Sequence, residues 1–185
     1  MDNRQIKAIC VNAGKRYKLV DAVVFPADKI KMGNWIRLKC QFGCDSYGES
    51  HSCPPAVKDM MKDIISDYKK AVLLVFKTDS IGKNKKIKKT DYSRSFARIY
   101  SGMLAVERAL FVNGFYKAFG MGPGPCPICK ECAFPRACRH PKLKRPAVEA
   151  MCIDVFQTVK NVGKKIAVLK DKKPEHNSYC LVLVE

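Results

Sequence analysis

The chain has 185 residues, 47% of them apolar, and a formal net charge of +18. That length suits one ordinary domain with a sizeable core, and the longest apolar run, residues 71–76, falls far short of the roughly 20 residues that a membrane span needs. The first residues carry no apolar signal stretch, so the expectation is a cytoplasmic protein whose clustered thiols stay reduced and read as metal or catalytic sites before disulfides.

In chain order, residues 2–13 are expected to form a short helix. Residues 18–25, with Leu19, Val20, Val23, Val24 and Phe25, read as a strand. Residues 35–39 alternate apolar and basic side chains and suggest a second strand leading into Cys40. A cysteine-rich loop follows over 40–55. Residues 56–68 place Val57, Met60, Met61, Ile64 and Ile65 at helical spacing. Residues 71–76 read as a buried strand and 79–91 as a lysine-rich loop. The longest helical pattern runs over 92–112, with Asp91 as a candidate N-cap and Gly114 as a stop. Residues 115–119 suggest a short strand, 120–146 a second cysteine-rich loop, 147–159 another helix and 180–184 a terminal strand. Helices and strands alternate, so the expected fold class is α/β: one compact sandwich over 1–185, with a central sheet, helices on its faces and two irregular cysteine-rich loops.

Seven of the ten cysteines fall into two groups, Cys40-x3-Cys44-x8-Cys53 and Cys126-x2-Cys129-x2-Cys132-x5-Cys138. Burial alone does not impose such spacings; a metal centre does. Three cysteines in one x2-x2 run suit a 4Fe-4S cubane, where each thiolate takes a different iron. A tetrahedral zinc, the less favoured reading, usually takes a Cys-x2-Cys knuckle plus a second pair from elsewhere. Gly122 and Gly124 are expected to supply unusual dihedrals for the wrap. Cys138 is open to either group, because in two-cluster ferredoxins the fourth cysteine of such a run serves the other cluster. Seven thiolates do not close two four-cysteine sites. The eighth ligand could be Cys152, Cys10 or Cys180, whose simpler reading is packing, or Asp45, His51, water or a substrate. Arg136, Arg139 and Arg145 put positive charge near the second group, where Arg139, His140 and Arg145 are candidate cofactor-binding residues, although arginine could equally hold Glu149 or Asp154.

The stretches Cys40-Gln-Phe-Gly-Cys44-Asp-Ser-Tyr47-Gly48 with Cys53-Pro54-Pro55, then Gly124-Pro125-Cys126, Cys138-Arg139-His140-Pro141 and Arg145-Pro146, then Glu149-Ala150 and Ile153-Asp154-Val155, together resemble the family called domain of unknown function 2284. The resemblance covers roughly residues 35–160 in matching order. It implies metal binding through these cysteines in an anaerobic, cytoplasmic setting, and it supplies no reaction. Cys152 stands where the family usually has glycine.

The resulting expectation is an iron–sulfur protein that transfers electrons or a cluster-dependent redox enzyme with one iron lacking a cysteine. Its partner would be an acidic redox protein or a small anionic substrate. The alternatives are a zinc-stabilised nucleic-acid-binding module, prompted by the charge, and a metal or cluster delivery protein. The aromatics do not interleave with the lysine runs, which disfavours single-strand binding.

Overall fold

The computed structural model describes residues 2–58, 61–78, 89–168 and 176–185, with backbone alone at 61–62 and 89–92. Helix α1 (Asn3–Gly14) starts in a capping box: Asp2 accepts the N–H of Gln5, and the Gln5 side chain accepts that of Asp2. Ile6 and Cys10 lie on its fully buried face. Strand β1 (Leu19–Pro26) follows, then α2 (Ile36–Gly43), α3 (Met61–Ser66), β2 (Lys70–Lys77), the long α4 (Lys89–Val112), β3 (Phe119–Met121), α5 (Val155–Asn161) and β4 (Asn177–Leu183). The sheet has order β1-β2-β4-β3 and is antiparallel throughout.

Burial explains that order. The continuous apolar runs, Ala71–Val72–Leu73–Leu74–Val75–Phe76 and Cys180–Leu181–Val182–Leu183, are the two central strands and are covered on both faces. Side chains alternate across a strand. Val72, Leu74, Phe76, Cys180 and Val182 therefore meet α1 and α4 through Ile6, Cys10, Ile99, Tyr100, Met103 and Leu110. Leu73, Leu181 and Leu183 face the other way, onto Val148, Met151, Ile153 and Val159. Among the described residues, no helix is long and apolar enough to cross a membrane.

Four expectations change. Residues 35–39 are not a strand: they open α2, which exposes Leu38 and Phe42 and buries Ile36. Five alternating residues fit a helix face as well as a pleat, so the pattern was too short to decide. The helix expected over 56–68 is confined, among the described residues, to Met61–Ser66. The strand expected over 115–119 begins only at Phe119. The helix expected over 147–159 is broken: a single 3-10 turn at Glu149–Met151 ends at Cys152 in the left-handed region (φ 57°), and α5 restarts with Asp154 as its N-cap. A side chain at this position is strained, and glycine would not be. Gly114 (φ 96°) does stop α4, as expected. Of the lysine-rich loop expected over 79–91, residues 79–88 lie outside the described residues and 89–91 belong to α4, so Asp91 lies inside that helix rather than at its cap.

Candidate metal centre

The first cysteine group is built on α2. Cys40 lies in its last turn and Cys44 immediately follows its end, so Cys40-x3-Cys44 is the one-turn spacing that puts two side chains on one helix face. The chain then turns through Gly48 (φ 76°), whose N–H donates to the Pro54 carbonyl at 2.9 Å, and returns Cys53 beside the other two. Cys40, Cys44 and Cys53 line one cavity of about 420 Å³. Its walls are largely apolar, among them Trp35, Pro54, Pro123, Ile153, Val155 and Phe156, with Glu149 set among them. Burial pushes the Cys40 thiol up and carries that of Cys53 to about 11.

Glu149 reaches this cavity because α2 is tied to the 149–154 segment. Gly33 N–H donates to the Cys152 carbonyl (2.9 Å), Asp154 N–H to the Lys31 carbonyl (2.7 Å), and Arg37 to the Ala150 carbonyl (3.3 Å). Burial pushes the Glu149 carboxyl up, and its charge acts on both Cys40 and Cys53.

The second group lies in the irregular segment after β3. That segment is clamped where it leaves and rejoins the sheet: Gly122 N–H donates to the Pro146 carbonyl (2.8 Å) and Val148 N–H to the Gly122 carbonyl (3.0 Å). Gly122 and Gly124 were expected to provide unusual dihedrals, yet neither has a positive φ. Their role is close approach. A Cβ on Gly122 would sit 2.8 Å from the Tyr100 ring, and one on Gly124 would sit 3.0 Å from the Phe96 ring. The bare backbone can therefore lie directly on α4, and Cys126 and Ile128 pack against the core there. Tyr100 anchors the loop: its hydroxyl meets the carbonyls of Leu143 (3.2 Å) and Arg145 (3.1 Å) and lies within hydrogen-bonding reach of the Cys126 thiol.

The two loops are joined. Ser52 accepts the N–H of Cys126 at 2.7 Å through its hydroxyl and that of Ala147 at 3.1 Å through its carbonyl. The Ser50 and Ser52 hydroxyls are 2.8 Å apart and buried, and Ser52 Oγ lies 3.9 Å from Cys53 Sγ. His51 Nε2 bonds to the Arg136 carbonyl at 2.7 Å, and its ring meets Phe134 edge-on at 5.3 Å. Burial would raise the Cys132 thiol, but the N–H groups of His51, Phe134 and Ala133 and the Ser50 hydroxyl outweigh it and hold the thiol below its ordinary value. A thiol surrounded by donors is prepared to be a thiolate, the form that binds metal.

The remaining sequence candidates are placed as follows. Arg145 sits in a half-buried ion pair with Glu107, its Nε donating to Oε2 at 2.7 Å, and lies 5.5 Å over the Phe119 ring. It holds neither Glu149 nor Asp154. Arg139 donates to the Glu131 carbonyl at 3.0 Å and braces the loop. His140 is exposed, and its carbonyl accepts from Leu143 and Lys144 in a turn. Cys10 and Cys180 are completely buried in the core; burial raises the Cys10 thiol to about 12 and pushes that of Cys180 well up. Among the described residues, no three Cys, His, Asp or Glu side chains are grouped to hold a single metal ion. Sequence reasoning missed Ser50 and Ser52 altogether. Their only signal was that two small hydroxyl residues fall within the three positions before Cys53.

A family model described as "Predicted metal-binding protein (DUF2284)" matches residues 23–184. No curated protein and no solved structure matches the chain.

Proposed function

The chain belongs to the family described as predicted metal-binding protein (DUF2284), and from that premise we propose that it is an iron–sulfur redox protein with two sites of unequal duty. The observation that carries this reading is the contrast between the cysteine groups. Cys126, Cys129, Cys132 and Cys138 are partly exposed in a loop whose backbone N–H groups bear on the Cys132 sulfur, which suits a cluster that exchanges electrons with an outside partner. Cys40, Cys44 and Cys53 line an apolar cavity large enough for a small molecule.

A cubane bound by three cysteines leaves one iron free for a non-cysteine ligand, and in this reading that iron faces the cavity. The cluster supplies one-electron chemistry; the protein supplies the thiolates, the apolar enclosure and the hydrogen-bonded serine link to the second site. The cavity wall is largely apolar and carries Lys39 as well as Glu149 and Asp154, so it suits a small molecule with a mostly apolar surface. A tetrahedral zinc would hold its thiolate sulfurs roughly 3.8 Å apart, from a Zn–S distance of about 2.3 Å. The Cys126-x2-Cys129-x2-Cys132 run, which lets each thiolate take a different iron, favours a cubane over such a site. The protein's place is then a reducing compartment, with an acidic electron partner as the fitting complement to its charge.

Iron and acid-labile sulfide quantitation on anaerobically prepared protein, with EPR before and after reduction, tests the proposal. Iron, sulfide and a reducible cubane signal are expected. Colourless protein carrying zinc without iron or sulfide would overturn it.

A further inference from the structure

Seven clustered cysteines leave one of two sites a ligand short, and the first cavity contains a side chain able to make up the number. Glu149 lines the same cavity as Cys40, Cys44 and Cys53, on the 3-10 turn that packs against α2. Its carboxylate receives a hydrogen bond only from its own backbone N–H among the described residues. Lys39 also lines the cavity, but among the described residues it forms no ion pair with Glu149; a carboxylate in largely apolar surroundings, beside three groups that also become anions, is costly unless a cation completes the set.

The rival ligands are otherwise engaged. Asp154 accepts the Gln157 N–H at 2.9 Å as the cap of α5. His51 Nε2 is bonded to the Arg136 carbonyl. Cys10 and Cys180 lie in the sheet core, and neither Asp45 nor Cys152 lines the cavity.

We propose that the Glu149 carboxylate is the fourth protein ligand of the centre held by Cys40, Cys44 and Cys53, making the first site a three-cysteine, one-carboxylate site. This rests on the iron–sulfur reading above and deepens it. An oxygen donor suits a soft iron–sulfur centre less well than a fourth thiolate would. Of the four protein ligands, the Glu149 carboxylate would be the one most readily displaced were a small molecule to enter the cavity.

Anaerobically reconstituted wild-type, E149A and E149D proteins separate the possibilities. Iron and sulfide counts and the EPR spectrum of the reduced protein are the readouts, each taken with and without added acetate. In E149A the signal of the three-cysteine cluster is expected to change while that of the second cluster stays, and acetate is expected to restore the wild-type signal by supplying the missing carboxylate. E149D is expected to stay close to wild type. If E149A keeps the wild-type signal, or changes and does not respond to acetate, Glu149 is not a ligand, although the iron–sulfur reading stands. A wild-type preparation without iron and sulfide removes the iron–sulfur reading itself, and the ligand assignment with it.

Discussion

The Ser52 hydroxyl accepts the backbone N–H of Cys126 at 2.7 Å, joining two loops that lie 74 residues apart in sequence. The same residue's carbonyl holds Ala147, where the second loop rejoins the sheet. Ser52 therefore fixes both ends of the segment that carries the second cysteine group, from a position directly before the last cysteine of the first. The Ser50 hydroxyl, buried 2.8 Å from that of Ser52, braces the same junction.

Replacing Ser52 by alanine should leave the fold intact but strand the Cys126 N–H. A half-buried donor without its acceptor costs about 1–3 kcal/mol. A thermal melt should show that loss. With the iron–sulfur cluster proposed for the second site, redox titration should also show a changed potential there, because hydrogen bonding around cluster sulfurs tunes it. An unchanged potential with an unchanged melt would mean that the serine link is incidental.

The Glu107–Arg145 pair holds the far side of the same loop. Glu107 also accepts the Gly120 N–H at 2.7 Å, so one carboxylate fixes both the strand before the loop and the arginine after it. Both side chains are less than one-fifth exposed. E107A leaves a half-buried guanidinium without its partner and should cost about 3–5 kcal/mol, with metal lost from the second site before the first. E107A/R145A should cost less than the sum of the two single changes. Chemical denaturation of the four proteins, with metal content measured alongside, checks both points.

The parts of this molecule that were legible in its sequence are those with short-range signals. The apolar runs 71–76 and 180–183 lie in the central strands β2 and β4, although β4 begins earlier than expected, at Asn177, and ends at Leu183, and the cysteine spacings mark two loops. The rest depends on contacts between distant residues. Nothing local to Ser52 announces Cys126, and nothing local to Glu149 announces Cys40. Gly122 and Gly124 read as turn residues, whereas the need for glycine there comes from Tyr100 and Phe96 on a different element. The break at Cys152 was hidden by a helical apolar period that continues across it, with Val148, Met151, Val155 and Val159 all facing inward in spite of the interruption.

Away from the site, Asp21 on β1 accepts from Lys164 at 2.6 Å and Lys7 at 3.0 Å. The hydrogen bond from Lys164, helped by Lys7 and only partly opposed by burial, holds its carboxyl below the ordinary value. Because the folded-state pKa is depressed, the stabilisation is present above the unfolded value, near 3.9, and is lost as pH falls through the folded one. Both lysines are largely exposed, so D21N should cost only about 0.5–1 kcal/mol at neutral pH. Urea denaturation should show the gap between wild type and variant closing as pH drops below about 4 and staying constant above it. A gap that widened in acid would contradict the assignment.

Cys152 gives the sharpest contrast between a thiol that packs and the thiols proposed to bind metal. It occupies a left-handed position at φ 57° and is 8% exposed. A side chain in that region costs roughly 1–2 kcal/mol relative to glycine, while removing the buried side chain forfeits about 1 kcal/mol of apolar contact and the added unfolded-chain freedom costs about 0.5–1 more. These opposing effects are of similar size, so C152G should melt within a few degrees of wild type. Its metal content should be complete. C53S, by contrast, removes a thiol that lines the cavity and should empty or weaken the first site alone. Metal counts on the two variants, prepared side by side, check this. If C152G lost as much metal as C53S, the fourth ligand of the first site would be Cys152, and the carboxylate of Glu149 would be a neighbour of the centre rather than part of it.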